Sequence, residues 1–118
     1  MLVITRYDVP AEEAGEFRTT AETALQALTG RPGCTGGYLA RNLDDPRLWT
    51  LTTTWASVGD YRRALSSYEV KLHAVPVMYR AVDEPTAYEP LITWTPDGGA
   101  RFSAPSRADD ADTAGPQR

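Results

Sequence analysis

Between Leu48 and Tyr61 the chain reads LWTLTTTWASVGDY, and this stretch restricts the fold more than any other. Trp49, Leu51, Thr53 and Trp55 alternate with Leu48, Thr50, Thr52 and Thr54, the period-two signature of a β-strand with two distinct faces. Threonines 52–54 are β-branched and suit a strand, yet they carry hydroxyls. A strand with apolar and hydroxyl side chains on both faces is covered on both sides or lines a cavity. Ser57 then supplies an N-cap, and Asp60 falls near the positive end of the helix that follows. Trp55 and Tyr61 stand on either side of this strand-to-helix corner, the first place to expect a pocket.

The remaining elements follow from the same patterns. Residues 1–7 (MLVITRY) alternate as a strand, with Val3, Thr5 and Tyr7 on one face and Leu2 and Ile4 on the other. Pro10 opens a helix whose first turns carry Glu12, Glu13 and Glu16, and Phe17, Ala21, Ala24, Leu25 and Leu28 form its apolar stripe. Gly30 ends it ahead of Arg31-Pro32-Gly33. Residues 34–43 form a second strand, in which Gly36-Gly37 predicts a bulge or a backbone that something must approach closely. Asp44-Asp45-Pro46-Arg47 is a turn that makes a hairpin with the Leu48 strand. The helix from Val58 carries Tyr61, Leu65, Tyr68 and Leu72 and is interrupted near Ser66, where Ser66-Ser67-Tyr68-Glu69 has the form of a capping box. Residues 86–94 (TAYEPLITW) are read as a fourth strand, with Pro90 marking an edge or bulge.

The order β-α-β-β-α-β in about 95 residues is the split-βαβ arrangement: an α+β, ferredoxin-like fold with an antiparallel sheet and helices on one face. The expected division is a domain over 1–95 and a disordered tail over 96–118, which is rich in Gly, Pro, Ala, Asp and Ser and has one aromatic residue. A core this thin leaves Leu, Tyr or Trp side chains on the helix-free face, so a second copy packed sheet to sheet is expected, giving a homodimer.

Composition removes several classes of function. The net charge is −4, and residues 1–95 hold nine basic and twelve acidic side chains, so a nucleic-acid partner is not expected. One histidine, His73, and one cysteine, Cys34, give neither a metal cluster nor an internal disulfide. No apolar leader or membrane span is read, and a cytoplasmic protein is the default.

The βαββαβ order, Arg31-Pro32-Gly33-Cys34 before Gly37, and Leu48-Trp49 through Trp55-x-Ser57 into a helix resemble the antibiotic biosynthesis monooxygenase (ABM) family of the dimeric α+β barrel superfamily. The resemblance covers residues 1–94. It implies a small monooxygenase that oxidises an aromatic or polyketide-like compound without a cofactor. In the quinone-forming members a strand-end Trp and a Tyr six residues on line the pocket, and Trp55 and Tyr61 match that spacing. Those enzymes also carry an Asn four residues before the Trp, where this chain has Leu51. Haem-degrading members carry a His ten residues after the Trp, here Leu65, and an Asn in the first strand, here within Thr5-Arg6-Tyr7. Haem degradation is therefore not expected.

Oxygen insertion without metal or flavin requires an electron-rich substrate held partly deprotonated, in a dry pocket with donors for the developing oxyanion. Trp55, Tyr61 and His73 are the candidate catalytic residues. Tyr7, Tyr38, Trp49, Leu51, Thr53 and Leu65 are the candidate substrate-binding ones. Thr52, Thr54, Arg6 and Arg41 are further sources of polar contact. The structural alternatives stand beside these: Trp55 and Tyr61 as core aromatics, Trp49 as packing or dimer contact, and His73 as a surface or cap residue. Two other functions fit the same fold, a non-catalytic barrel that binds a small hydrophobic ligand and a cyclase or isomerase that needs only proton transfer.

Overall fold

A computed structural model of the chain describes residues 1–103. It divides into two compact units, one over Met1–Ala87 and a second beginning at Tyr88. The division thus falls earlier than the expected boundary at residue 95.

The first unit is built on the strands β1 (Leu2–Asp8), β2 (Cys34–Arg41) and β3 (Leu48–Trp55), with the short β4 (Ala87–Tyr88) reaching its sheet. The sheet order is β2-β3-β1-β4, as the ferredoxin-like arrangement requires. β3 runs antiparallel to both its neighbours, with Tyr7 opposite Trp49 and Thr5 opposite Leu51 on one side and Leu39 opposite Leu51 on the other. The ladder between β2 and β3 shifts between Cys34 and Gly36, the bulge anticipated at the glycine pair.

Helix α1 (Ala14–Thr29) follows a 3-10 turn at Ala11–Glu13. It buries Phe17, Ala21, Ala24 and Leu28 against the sheet, the stripe its periodicity predicts. Gly37 permits this close packing: a Cβ there would come within 2.8 Å of Leu25 Cδ1 and 3.0 Å of Thr29 Cγ2. The second helical region is three short helices, α2 (Val58–Leu65), α3 (Tyr68–His73) and α4 (Val75–Met78). Ser57 caps α2 by accepting from the Asp60 N–H at 3.1 Å. The break falls after Leu65, and the capping hydroxyl is that of Ser67, which accepts from the Val70 N–H, rather than that of Ser66.

Among the described residues, helices pack on one face of the sheet. Val3, Thr5 and Tyr7 of β1 and Trp49, Leu51, Thr53 and Trp55 of β3 point into that layer and are all buried. The opposite face carries Leu2, Ile4, Leu48, Thr50, Thr52 and Thr54, which are half-buried or exposed, and the exposed Tyr38.

The expected fourth strand over 86–94 is two short ones. Thr86 accepts from the Ile4 N–H at the edge of the main sheet. Residues 89–91 then leave the ladder at Pro90, which has no N–H to donate. In the second unit β5 (Ile92–Thr95) pairs with β6 (Gly99–Phe102) in an antiparallel hairpin. Gly99, the first residue of β6 after the turn, has φ +64°, a conformation glycine adopts without strain. A strand therefore occupies 99–102, where sequence composition predicts disorder. Ile92 opposite Phe102 and Trp94 opposite Ala100 give this segment cross-strand apolar pairs that a count of Gly and Pro does not register. The expectation for 104–118 lies outside the described residues.

Candidate functional site

The corner between β3 and α2 positions its aromatic pair through local bonds. The Ala56 N–H donates to the Gly33 carbonyl at 2.8 Å, tying the corner to the turn before β2. Gly33 sits at φ +89°, and a Cβ there would run into the Asp60 side chain, so glycine is needed on both counts. Asp60 accepts from the Ser57 hydroxyl at 3.0 Å and from Arg63 at 2.6 Å. The Arg63 bond foremost, and then the Ser57 bond, hold its carboxyl below the usual range. With α2 anchored in this way, the Tyr61 ring lies 5.4 Å from the Trp55 ring at an interplanar angle of 54°. Leu65, one turn further on, is half-buried and packs against the same core.

Two hydroxyls inside the layer organise the polar contacts. Trp55 Nε1–H donates to Thr53 Oγ1 at 2.8 Å. On β1, Thr5 Oγ1 lies 2.8 Å from the Tyr7 hydroxyl and 3.2 Å from the Leu51 carbonyl oxygen. Thr5 has one hydrogen and gives it to the carbonyl, so Tyr7 donates to Thr5. The Leu51 side chain brings no polar atom to the site, but its carbonyl ends this relay. The Tyr61 hydroxyl makes no hydrogen bond among the described residues. Burial raises the phenols of both Tyr7 and Tyr61 above the ordinary value of 10.0, and for Tyr61 the proximity of Tyr7 adds to it. Both are neutral at pH 7, so each phenol has a proton to donate and neither is a base.

A row of aromatic rings in tilted and edge-on contact runs along the layer. Tyr7 lies 5.0 Å from Phe17, and Phe17 packs edge-on to Trp49 at 5.3 Å. The Arg80 guanidinium covers Phe17 at 5.3 Å, and Arg41 covers Trp49 at the same distance. Thus Trp55, Tyr61, Tyr7, Trp49, Leu51, Thr53 and Leu65 belong to one side of the sheet.

Two candidate residues do not join them. Tyr38 pairs with Thr52 on the helix-free face, so its side chain points away from Trp55. His73 lines a separate groove with Arg31 and Glu69, and its Nε2 lies 3.4 Å from Glu69. Thr52 and Thr54 also fall on the opposite face, and Arg6 is bound to Glu84 at 2.7 Å. Sequence reading missed Thr5 and Phe17. For Thr5 the signal was its parity with Tyr7. For Phe17 it was a place at the front of the apolar stripe of α1.

Among the described residues no group of three His, Cys, Asp or Glu side chains could hold a metal ion, and no helix is long and apolar enough to cross a membrane.

In the unit over Met1–Ala87 these features define an α+β domain with an aromatic and hydroxyl-lined layer between one sheet and its helices. The model of the antibiotic biosynthesis monooxygenase family matches residues 1–74, and the chain belongs to that family. No curated protein sequence matches it. Solved structures share the fold at low identity. A protein from Deinococcus radiodurans assigned to the antibiotic biosynthesis monooxygenases is 23% identical, with a TM-score of 0.62 over 76% of this chain and 92% of its own. SnoaB, a cofactor-independent oxygenase from Streptomyces nogalater, is 20% identical, with a TM-score of 0.60 over 69% of this chain and 82% of its own. Rv0793 from Mycobacterium tuberculosis is 15% identical, with a TM-score of 0.64 over 80% of this chain and 97% of its own.

Proposed function

We propose that the protein is a cofactor-independent monooxygenase that oxidises an electron-rich aromatic or polyketide-like small molecule in the layer around Trp55 and Tyr61. The observation that carries this reading is the Trp55–Tyr61 pair, in which the Tyr61 hydroxyl has no hydrogen-bond partner among the described residues. Such a hydroxyl is a donor available to an oxyanion, in surroundings that keep it protonated.

The chemistry balances without an external reductant. An anthrone-type substrate loses a proton to give an enolate, which passes one electron to dioxygen. The radical pair combines to a carbon-bound hydroperoxide, and loss of water leaves a carbonyl. One oxygen atom enters the product and the other leaves as water. The protein's part is to exclude water, to present flat aromatic surface and to stabilise the enolate oxygen. Tyr61 serves as donor to that oxygen. Trp55, fixed by Thr53, sets the orientation of the ring beside it.

A second copy of the chain is proposed to cover the helix-free face, where Leu2, Ile4, Tyr38 and Leu48 are incompletely buried. A cytoplasmic location accompanies this reading.

Oxygen uptake and product mass with an anthrone-type phenol test the proposal. The expected product is a quinone heavier than substrate by one oxygen less two hydrogens. No uptake above background, with or without added metal or flavin, would overturn it. The side chain of Leu51 favours a second reading, a non-catalytic barrel binding a small hydrophobic ligand, because it contributes no polar group where oxygenating members have one. Tight binding of the anthrone without turnover would select that reading. An isomerised or cyclised product of unchanged composition would indicate proton-transfer chemistry instead.

A further inference from the structure

A cleft of about 510 Å³ opens between α1 and the edge strand β2, away from the Trp55 corner. Arg18, Glu22 and Leu25 line it from α1 at positions i, i+4 and i+7, one stripe of the helix. Leu39 and Arg41 line it from alternate positions of β2, and Trp49 lies directly across from Arg41 in the β2–β3 ladder.

Three observations give this cleft a chemical character. Neither Arg18 nor Arg41 forms an ion pair among the described residues, although acidic side chains outnumber basic ones in the chain as a whole. Glu22 brings one carboxylate, so the lining is net positive. Trp49 is 5% exposed, and its indole N–H is buried with no acceptor among the described residues. A buried donor lacking a partner is uncommon and is satisfied when an acceptor binds beside it. Leu25, Leu39 and the Trp49 ring supply apolar surface next to these donors.

We propose that this cleft binds the acidic end of a flat apolar compound, an aromatic carboxylate or phenolate. Arg41 and Arg18 meet the anionic oxygens, the Trp49 indole N–H donates to one of them, and Leu25 and Leu39 hold the ring. Guanidinium groups suit this task because their planar forks match the two oxygens of a carboxylate. The missing side chain at Gly37, where a Cβ would come within 2.8 Å of Leu25 Cδ1, lets α1 pack closely on β2 beside the cleft. This goes beyond the oxygenase reading: it assigns a binding site and a ligand class that hold whether or not oxidation follows.

The test is equilibrium binding of 2-naphthoate and its neutral counterpart 2-naphthalenemethanol, by calorimetry, with the indole N–H signals followed by NMR. The acidic probe is expected to bind about tenfold more tightly at low ionic strength. It should shift one indole signal, the one missing in Trp49→Phe. In Arg18→Gln/Arg41→Gln the preference is expected to fall to roughly threefold or less, while Lys71→Gln, on the exposed side of α3, retains it. Equal affinity of the two probes in the unmodified protein overturns the proposal, as does a preference that survives in the double variant or an unmoved Trp49 signal. The comparison of probes needs no variant to fold. Naphthoate binding without any oxygenase activity would leave the proposal standing and remove only the oxygenase reading.

Discussion

The indole N–H of Trp55 donates to the hydroxyl of Thr53, 2.8 Å away and two residues back on the same face of β3. This bond explains why a buried strand position facing an aromatic core carries a threonine. Thr53→Val keeps the shape and β-propensity of the site but leaves the indole N–H without an acceptor. The expected loss is about 1–3 kcal/mol in urea unfolding. A smaller loss is expected for Thr52→Val, because Thr52 faces the other side of the sheet.

Close packing of α1 on β2 depends on a missing side chain at Gly37. Gly37→Val places methyl groups against Leu25 and Thr29 and is expected to cost about 1–3 kcal/mol, read as a lower denaturation midpoint. Gly15, in the first turn of the same helix, is the contrasting case, since nothing lies within 4 Å of a Cβ added there. Gly15→Ala is expected to stabilise by about 0.5–1 kcal/mol through the helix propensity of alanine.

The glycine pair in β2 also shows what a sequence can disclose. That Gly36-Gly37 marks a bulge or close approach was legible, because glycine inside a strand has few other uses. Which element approaches was not, since it depends on how α1 lies across the sheet. Parity along β3 was legible because successive side chains on a strand point to opposite faces, and it grouped Trp49, Leu51, Thr53 and Trp55 correctly. Tyr38 was misplaced because the face of a residue on β2 depends on register with β3, and the bulge between Cys34 and Gly36 shifts that register. His73 shares a helical region with Tyr61, but the break at Ser66-Ser67 puts it on a separate helix, where its Nε2 lies beside Glu69. The β5–β6 hairpin escaped notice because low apolar content describes a window of sequence, whereas a hairpin needs only a few opposed pairs and a suitable turn.

Alkaline pH should expose the buried phenols. Burial raises Tyr7 and Tyr61 above 10.0, so the native state holds their protons more tightly than the unfolded chain does. Their contribution to stability is complete below pH 10 and is lost as pH rises through the folded values. The urea midpoint is expected to fall above about pH 10, and to fall less in Tyr7→Phe/Tyr61→Phe. An equal decline in both proteins would place the alkaline sensitivity elsewhere. On the acid side Asp60 and Glu84 titrate below their ordinary values through Arg63 and Arg6. Their contributions are lost as pH falls, but both are solvent-screened and have little effect on the midpoint.

The two buried tyrosines should separate stability from chemistry. Tyr7 donates to Thr5, which in turn donates to Leu51, so its hydroxyl is committed to the fold. Tyr7→Phe is expected to cost about 1 kcal/mol in stability and to leave turnover of an anthrone substrate within roughly threefold. Tyr61 packs on Trp55 through its ring, while its hydroxyl makes no hydrogen bond among the described residues. Tyr61→Phe keeps the ring contact and removes the donor, so stability is expected to change by less than about 1 kcal/mol. If that hydroxyl stabilises the substrate oxyanion, kcat falls by about 100-fold while KM moves little, because the interaction strengthens as charge develops. Oxygen-uptake kinetics on the two variants decide the matter. Equal activity in both would leave Tyr61 as a core aromatic and remove it from the reaction.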